Sequence, residues 1–136
     1  MASIFTKIIR GEIPCYKVAE TSEFLAFLDV QPLAVGHTLI VPKLEIDYIL
    51  DLEEDLYVEL FRFARRVGIG IERNVLCKKI GMAVVGLEVP HAHVHLVPLN
   101  ELSDITFTSP RLKLSKDEFE KTADGIRNVL QAQFDM

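Results

Sequence analysis

The chain has 136 residues, 49% of them hydrophobic, and a formal net charge of −5 at pH 7. That length supports one core and is too short for two ordinary domains, so residues 1–136 are expected to form a single domain. The acidic balance argues against duplex nucleic acid as a partner, since such binders carry basic stripes, but not against a nucleotide, whose phosphate needs only local donors.

A short helix is predicted after Ser3, closing at Gly11. Strands are predicted near Lys17–Glu20, Phe24–Asp29 and Thr38–Pro42, with turn residues between them. A long helix is expected from Asp51, whose side chain would cap it with Glu54 in the capping-box position. Leu52, Leu56, Leu60, Phe63, Ala64, Val67 and Ile71 then form one apolar stripe. Gly68 and Gly70 predict fraying or close backbone contact in its last part. Two more strands are predicted near Gly81–Val85 and Val89–Val97, giving an α+β domain built on an antiparallel sheet.

After Asn100 the segment Ser103–Ser115 lacks a clear period, and a second helix opens at Ser115 with Glu118 completing its capping box. Phe119, Ala123, Ile126, Leu130 and Phe134 mark its apolar face. This tail is expected to pack against the core or a partner subunit, with Phe107 or Arg111 lining a cleft; a passive cover is the alternative. No apolar run reaches membrane-spanning length, and Met1–Lys7 has no signal-peptide plan. Cys15 and Cys77 are isolated, which points to a reducing compartment and hence the cytoplasm.

Three of the four histidines, His91, His93 and His95, alternate with Ala92, Val94 and Leu96. On a strand, Ala92, Val94 and Leu96 face a core while the imidazoles line up on the other side. A solvated edge-strand face is one reading, though such faces usually mix Thr, Lys and Glu. Metal binding is a second reading. At about 3.3 Å per residue the outer rings sit about 13 Å apart, too far to share an ion held by bonds of about 2.0–2.1 Å. Phosphorus chemistry uses all three positions: a neutral His93 attacks, while its neighbours donate hydrogen bonds and carry protons. Charge on His91 or His95 is expected to keep His93 neutral, and a backbone carbonyl is expected on its proton-bearing nitrogen.

The run His91-Ala92-His93-Val94-His95-Leu96-Val97 resembles the histidine-triad pattern of the HIT family, in its Hint-like branch. The resemblance extends to Ile4–Pro14, Phe24–Asp29 and Gly36–Lys43, in the family's order, and covers most of residues 3–99. It implies a HIT fold with a core at residues 3–99 and a C-terminal extension at 100–136. The implied activity is that of a nucleotide hydrolase or transferase acting at the α-phosphate of a purine nucleoside phosphoramidate or phosphate ester. The reaction would pass through a covalent nucleotidyl-histidine and release the nucleoside monophosphate, with no cofactor. His93 takes the nucleophile's place, His91 and His95 the flanking positions that contact phosphate oxygens and organise the site, and His37 the outlying supporting position. Asp29 matches the residue that holds the ribose hydroxyls; Ile4, Phe5, Ile8, Ile13, Phe27 and Val30 fall where the family encloses the base. From the residues alone, the hydrophobic members of this set also read as ordinary core, Asp29 as the start of the Asp29–Pro32 turn, and His37 as a follower of the Gly36 turn. Hint-like relatives are homodimers that join their sheets and pack their long helices together, a role for which Tyr57, Val58 and Phe61 supply apolar surface.

Gly86-Leu87-Glu88-Val89-Pro90 departs from the pattern, because Hint-like relatives carry a longer loop with a Gly-Gln-Ser-Val run. Leu87 and Glu88 stand where Gln and Ser would, which puts the leaving group in question; Glu88 reads as a proton donor or as a surface carboxylate. Ser3, Thr6 and Glu45 occupy the neighbourhood where some bacterial relatives hold a structural zinc, so no metal is expected. Two other readings remain: a nucleotide-binding module with little turnover, and a metal-binding protein using the histidine row.

Overall fold

Alternating side chains sort the central sheet into two buried faces. The computed structural model describes residues 1–136. Its elements are α1 (Ile4–Ile9), β1 (Lys17–Glu20), β2 (Phe24–Leu28), β3 (Thr38–Pro42), α2 (Glu54–Asn74), β4 (Lys79–Ala83), β5 (Val94–Leu99) and α3 (Lys116–Phe134), with short 3-10 turns at Ile49–Asp51 and Leu102–Ile105. The strands lie in the order β1-β2-β3-β5-β4, every neighbouring pair antiparallel. The expected α+β class and five-stranded sheet are therefore present.

Phe24, Ala26, Leu28, Ile40, Val94 and Leu96 pack with Leu60, Phe63, Val67 and Ile71 of α2 and with Phe119, Ala123, Ile126 and Leu130 of α3. Their alternate neighbours Leu25, Phe27, Leu39 and Val41 join Phe5 of α1 in a second cluster. With helices on both faces, β2 and β3 are buried at every position. Ser3 caps α1 by accepting from the Thr6 amide at 3.0 Å, a bond of a kind that contributes about 1 kcal/mol. Ser115 and Glu118 form the expected capping box of α3.

The long helix differs from expectation at its start. It begins at Glu54, and Asp51 instead ends a 3-10 turn closed by Asp51 N–H on the Tyr48 carbonyl and Leu52 N–H on that of Ile49. That turn buries Ile49 and Leu52 in the core before the helix begins, so Leu52 is core but not helix. Glu54 and Asp55 favour the positive helix end without a capping bond. At the other end α2 continues through both glycines: a Cβ at Gly70 would lie 2.5 Å from Leu130 Cδ2, so its absence allows α3 to approach closely.

Strand ends also shift. β2 stops at Leu28, and β4 begins two residues earlier than expected because Lys79 pairs with Leu99. β5 begins only at Val94, since the Ala92 amide turns to the Ile46 carbonyl and that of His91 to Val89. No helix is long and apolar enough to cross a membrane.

Candidate active site

His91 and His93 lie on the approach to β5, His95 lies within it, and all three share the sheet face that carries Phe5. His37 arrives from the turn before β3, where Gly36 has φ +94° and a Cβ would meet Val75 Cγ2 at 2.9 Å. The rings form a continuous row, with centroids 4.9 Å apart for Phe5–His93, 4.9 Å for His93–His95 and 5.3 Å for His95–His37. His37 and His91 are fully buried, whereas His93 and His95 keep 5% and 8% of their surface.

Hydrogen-bond partners fix which nitrogen of each ring carries the proton. His93 Nδ1 lies 2.7 Å from the His91 carbonyl, which only accepts, so Nδ1 is protonated and Nε2 keeps its lone pair. This is the backbone carbonyl expected at that nitrogen. Leu33 N–H donates to His37 Nδ1 at 3.0 Å, leaving the proton on His37 Nε2. That proton points to His95 Nδ1 at 3.0 Å, and His95 therefore carries its own proton on Nε2. One imidazole thus presents a lone pair, and its neighbour presents an N–H.

Burial sets the charge state of these rings. It holds His37 down to about 3 and His95 down to about 4, with neighbouring cationic groups adding to the effect. His93 is also lowered, first by burial and less by the nearby His91 ring. The expected role for a charged flanking imidazole is therefore corrected: a dry surrounding, more than repulsion, keeps the middle ring neutral. His91 differs again, because its Nε2 donates to the Pro42 carbonyl at 2.7 Å and its Nδ1 meets Ser3 Oγ at 2.7 Å. With both nitrogens occupied inside the protein, its ring has none free for a phosphate oxygen, contrary to the contact expected of a flanking histidine.

Asp29 serves two purposes. Its Oδ1 accepts from Gln31 N–H at 2.8 Å, the turn reading, while Oδ2 stands 3.6 Å from His37 Nε2 and 3.9 Å from Arg111 Nη1. Since His37 is neutral, its contact with Asp29 is polar rather than ionic. Burial raises the Asp29 carboxyl, and Arg111 opposes the shift. Asp29, His37 and His95 bring three ligand-type atoms within 4.8 Å of one another. They fit a cation poorly, because with Leu33 N–H on Nδ1 a metal at His37 Nε2 would require the imidazolate.

The tail reaches the site. Phe107 meets His95 edge-on at 4.7 Å, and Arg111 donates to the carbonyls of Gln31 and Phe107. Of the residues expected around the base, Phe5 and Phe27 are buried beside the triad and Ile8 packs on them, while Ile13 is half-buried. Ile4 is 49% exposed and Val30 61%; Val30 lines a groove of about 650 Å³ with Tyr16 and Arg127 that contains none of the histidines. Glu88 is exposed on the loop before the histidine row, yet its charge acts on both Asp29 and His93. Ser3, Thr6 and Glu45, considered in the sequence only as replacements for zinc ligands, converge on His91. Which backbone groups meet the rings, the carbonyls of His91 and Pro42 and the Leu33 amide, carried no sequence signal, because any residue supplies them.

Residues 10–102 match the HIT domain family model, spanning the triad and every strand of the sheet. The chain belongs to the HIT family. It is 31% identical over 134 residues to an adenosine 5'-monophosphoramidase of Schizosaccharomyces pombe, covering 96% of this chain and 100% of the relative. It is 32% identical to an adenylylsulfatase of Arabidopsis thaliana over 90% of this chain and 64% of that protein. A solved structure of a hypothetical histidine triad nucleotide-binding protein from Sulfolobus tokodaii superposes with a TM-score of 0.81 at 30% identity, covering 94% of this chain and 91% of the other. In this HIT protein the matched residues include all four histidines of the row.

Proposed function

We propose that this HIT protein is a nucleotide hydrolase that cleaves purine nucleoside phosphoramidates or phosphate esters at the α-phosphate and releases the nucleoside monophosphate. The observation that carries the proposal is the pairing of tautomers: His93 Nε2 bears a lone pair beside the Nε2–H of His95. The phosphoramidase and adenylylsulfatase names of its relatives support the same class of bond.

In this reading His93 Nε2 forms a bond to phosphorus as the bond to the leaving group breaks. The His91 carbonyl, still accepting from Nδ1–H, stabilises the cationic nucleotidyl-imidazole. His95 Nε2–H donates to the phosphoryl oxygens where negative charge grows, in a site dry enough to strengthen that bond. The leaving amine takes its proton from solvent at the mouth, near Glu88. Water then attacks the same phosphorus, the bond to Nε2 breaks, and the water's proton returns to solvent. Phe5, Ile8 and Phe27 form the wall for the base, and Asp29 Oδ2 is available to a ribose hydroxyl.

The working unit in this proposal is a homodimer in the cytoplasm, where Cys15 and Cys77 remain free thiols. The unpaired outer edge of β4 and the exposed Tyr57 and Val58 of α2 support the pairing. The test is a panel of adenosine substrates differing only in the leaving group. Turnover of the phosphoramidate is expected; tight binding with negligible hydrolysis of every member would instead support a binding module.

A further inference from the structure

Glu45 lies on the loop after β3, far in sequence from the amino terminus, yet its Oε1 accepts from Ser3 N–H at 2.7 Å and from the Thr6 hydroxyl at 2.6 Å. Those bonds hold its carboxyl down to about 2, so the acceptor stays ionised across the physiological range. Thr6 has one hydroxyl proton, and it is committed to Glu45. Thr6 therefore has none left for His91 Nδ1, which lies 3.5 Å away. Ser3 Oγ accepts the Thr6 amide at 3.0 Å, and its single proton has two acceptors in reach, Thr6 Oγ1 at 3.3 Å and that same nitrogen at 2.7 Å, the shorter contact. Because His91 Nε2 must donate to the Pro42 carbonyl, a neutral His91 needs a donor at Nδ1, and only Ser3 remains.

We propose that Glu45 is a positioning residue for the triad: by orienting the hydroxyls of Thr6 and Ser3 it makes Ser3 the donor to His91 Nδ1, which fixes the carbonyl that holds His93. The chain of bonds runs from an exposed carboxylate through the first turn of α1 to the ring of His91, and from the His91 carbonyl to His93 Nδ1. The same clip sets Phe5, two residues from the α1 cap, edge-on to His93 at 4.9 Å. Nucleophile and base wall are thus registered against each other by one side chain that touches neither. The effect on turnover rests on the reading of His93 as nucleophile; the effect on the two imidazoles does not.

The experiment combines long-range proton–nitrogen NMR of the imidazoles with kinetics on an adenosine phosphoramidate, for the full chain and for Glu45→Ala and Glu45→Gln. In the unaltered protein His91 should appear protonated at Nε2 and His93 at Nδ1. Glu45→Ala frees the Thr6 hydroxyl to compete with Ser3, so the His91 Nδ1 signal should move and the His93 Nδ1 proton should exchange faster. Its kcat should fall about tenfold to a hundredfold with KM within about threefold, as expected of a displaced reacting group. Glu45→Gln retains an acceptor oxygen and should recover the nitrogen signals and most of kcat. If Glu45→Ala does not fold, Glu45→Asp, whose shorter side chain withdraws the carboxylate from Thr6, provides the same two readings. Unmoved His91 and His93 signals in the Ala or Asp variant, a His91 ring protonated on both nitrogens in the unaltered protein, or no recovery in Glu45→Gln would overturn the proposal. If the unaltered protein turns over no phosphoramidate while the imidazole signals respond as described, the hydrolase reading fails and the role of Glu45 stands.

Discussion

His37 Nε2 lies 3.0 Å from His95 Nδ1, and because Leu33 N–H occupies the other nitrogen of His37, the proton between the two rings belongs to His37. One backbone amide therefore decides which nitrogen of His95 carries the proton. His37→Ala frees His95 to take the opposite tautomer and turn its lone pair toward the site. The expected result is a kcat lower by about tenfold to a hundredfold, within the range for losing an oriented polar group, with a smaller change in KM. Steady-state kinetics on one adenosine phosphoramidate provides the check.

Acid should weaken this protein in a defined window. His37 and His95 titrate near 3 and 4 when folded and near their ordinary value of about 6.5 when unfolded, so between those limits the unfolded chain binds more protons. Stability from these groups is complete above pH of about 6.5 and is lost as pH falls through the folded values, each ring contributing a slope of up to about 1.4 kcal/mol per pH unit. Asp29, raised by burial, acts in the opposite sense just above its ordinary value. Urea midpoints measured from pH 7 to pH 4 should decline, and His37→Ala should flatten the decline.

The alternation of His91, Ala92, His93, Val94 and His95 made the site readable, because a two-residue period assigns faces even where pairing fails. Ala92 packs in the core although the ladder starts only at Val94. Capping chemistry made Ser3 and Ser115 readable, whereas Asp51 followed by Glu54 was a false signal: the burial of Ile49 and Leu52 in a 3-10 turn outweighed a cap. The tautomers could not be read in advance. They depend on the carbonyls of His91 and Pro42 and the amide of Leu33, and only folding determines what those groups meet. Phe107 and Arg111 come from a segment with no periodicity, so their place beside His95 and Asp29 follows from the path of the tail.

Glu88 should influence the choice of leaving group. It is exposed, yet its negative charge raises the proton affinity of His93 and of Asp29. A carboxylate there disfavours anionic leaving groups relative to amines. Glu88→Gln should increase turnover of a sulfate or phosphate leaving group about threefold to tenfold relative to an amine, at low salt and less at high salt, as for partly screened charges. Equal ratios for both proteins across the substrate panel would remove Glu88 from selectivity.

The tail helix is part of the core. Leu130 is buried against Gly70, and Ile126 lies beside it on the sheet face opposite the triad. Leu130→Ala should cost about 2–5 kcal/mol, the usual range for a buried leucine, while KM measured below the melting transition stays unchanged. Thermal melts paired with kinetics at low temperature test both parts.

The most direct test of the central claim, that the free Nε2 of His93 bonds to phosphorus, is mass spectrometry of the protein quenched in alkaline denaturant during turnover of an adenosine phosphoramidate. A transient gain of one adenylyl group is expected, localised to the peptide carrying His93 and absent in His93→Ala, which should turn over no substrate. An adenylyl group on a different residue, or His93→Ala retaining the full rate, would contradict the claim.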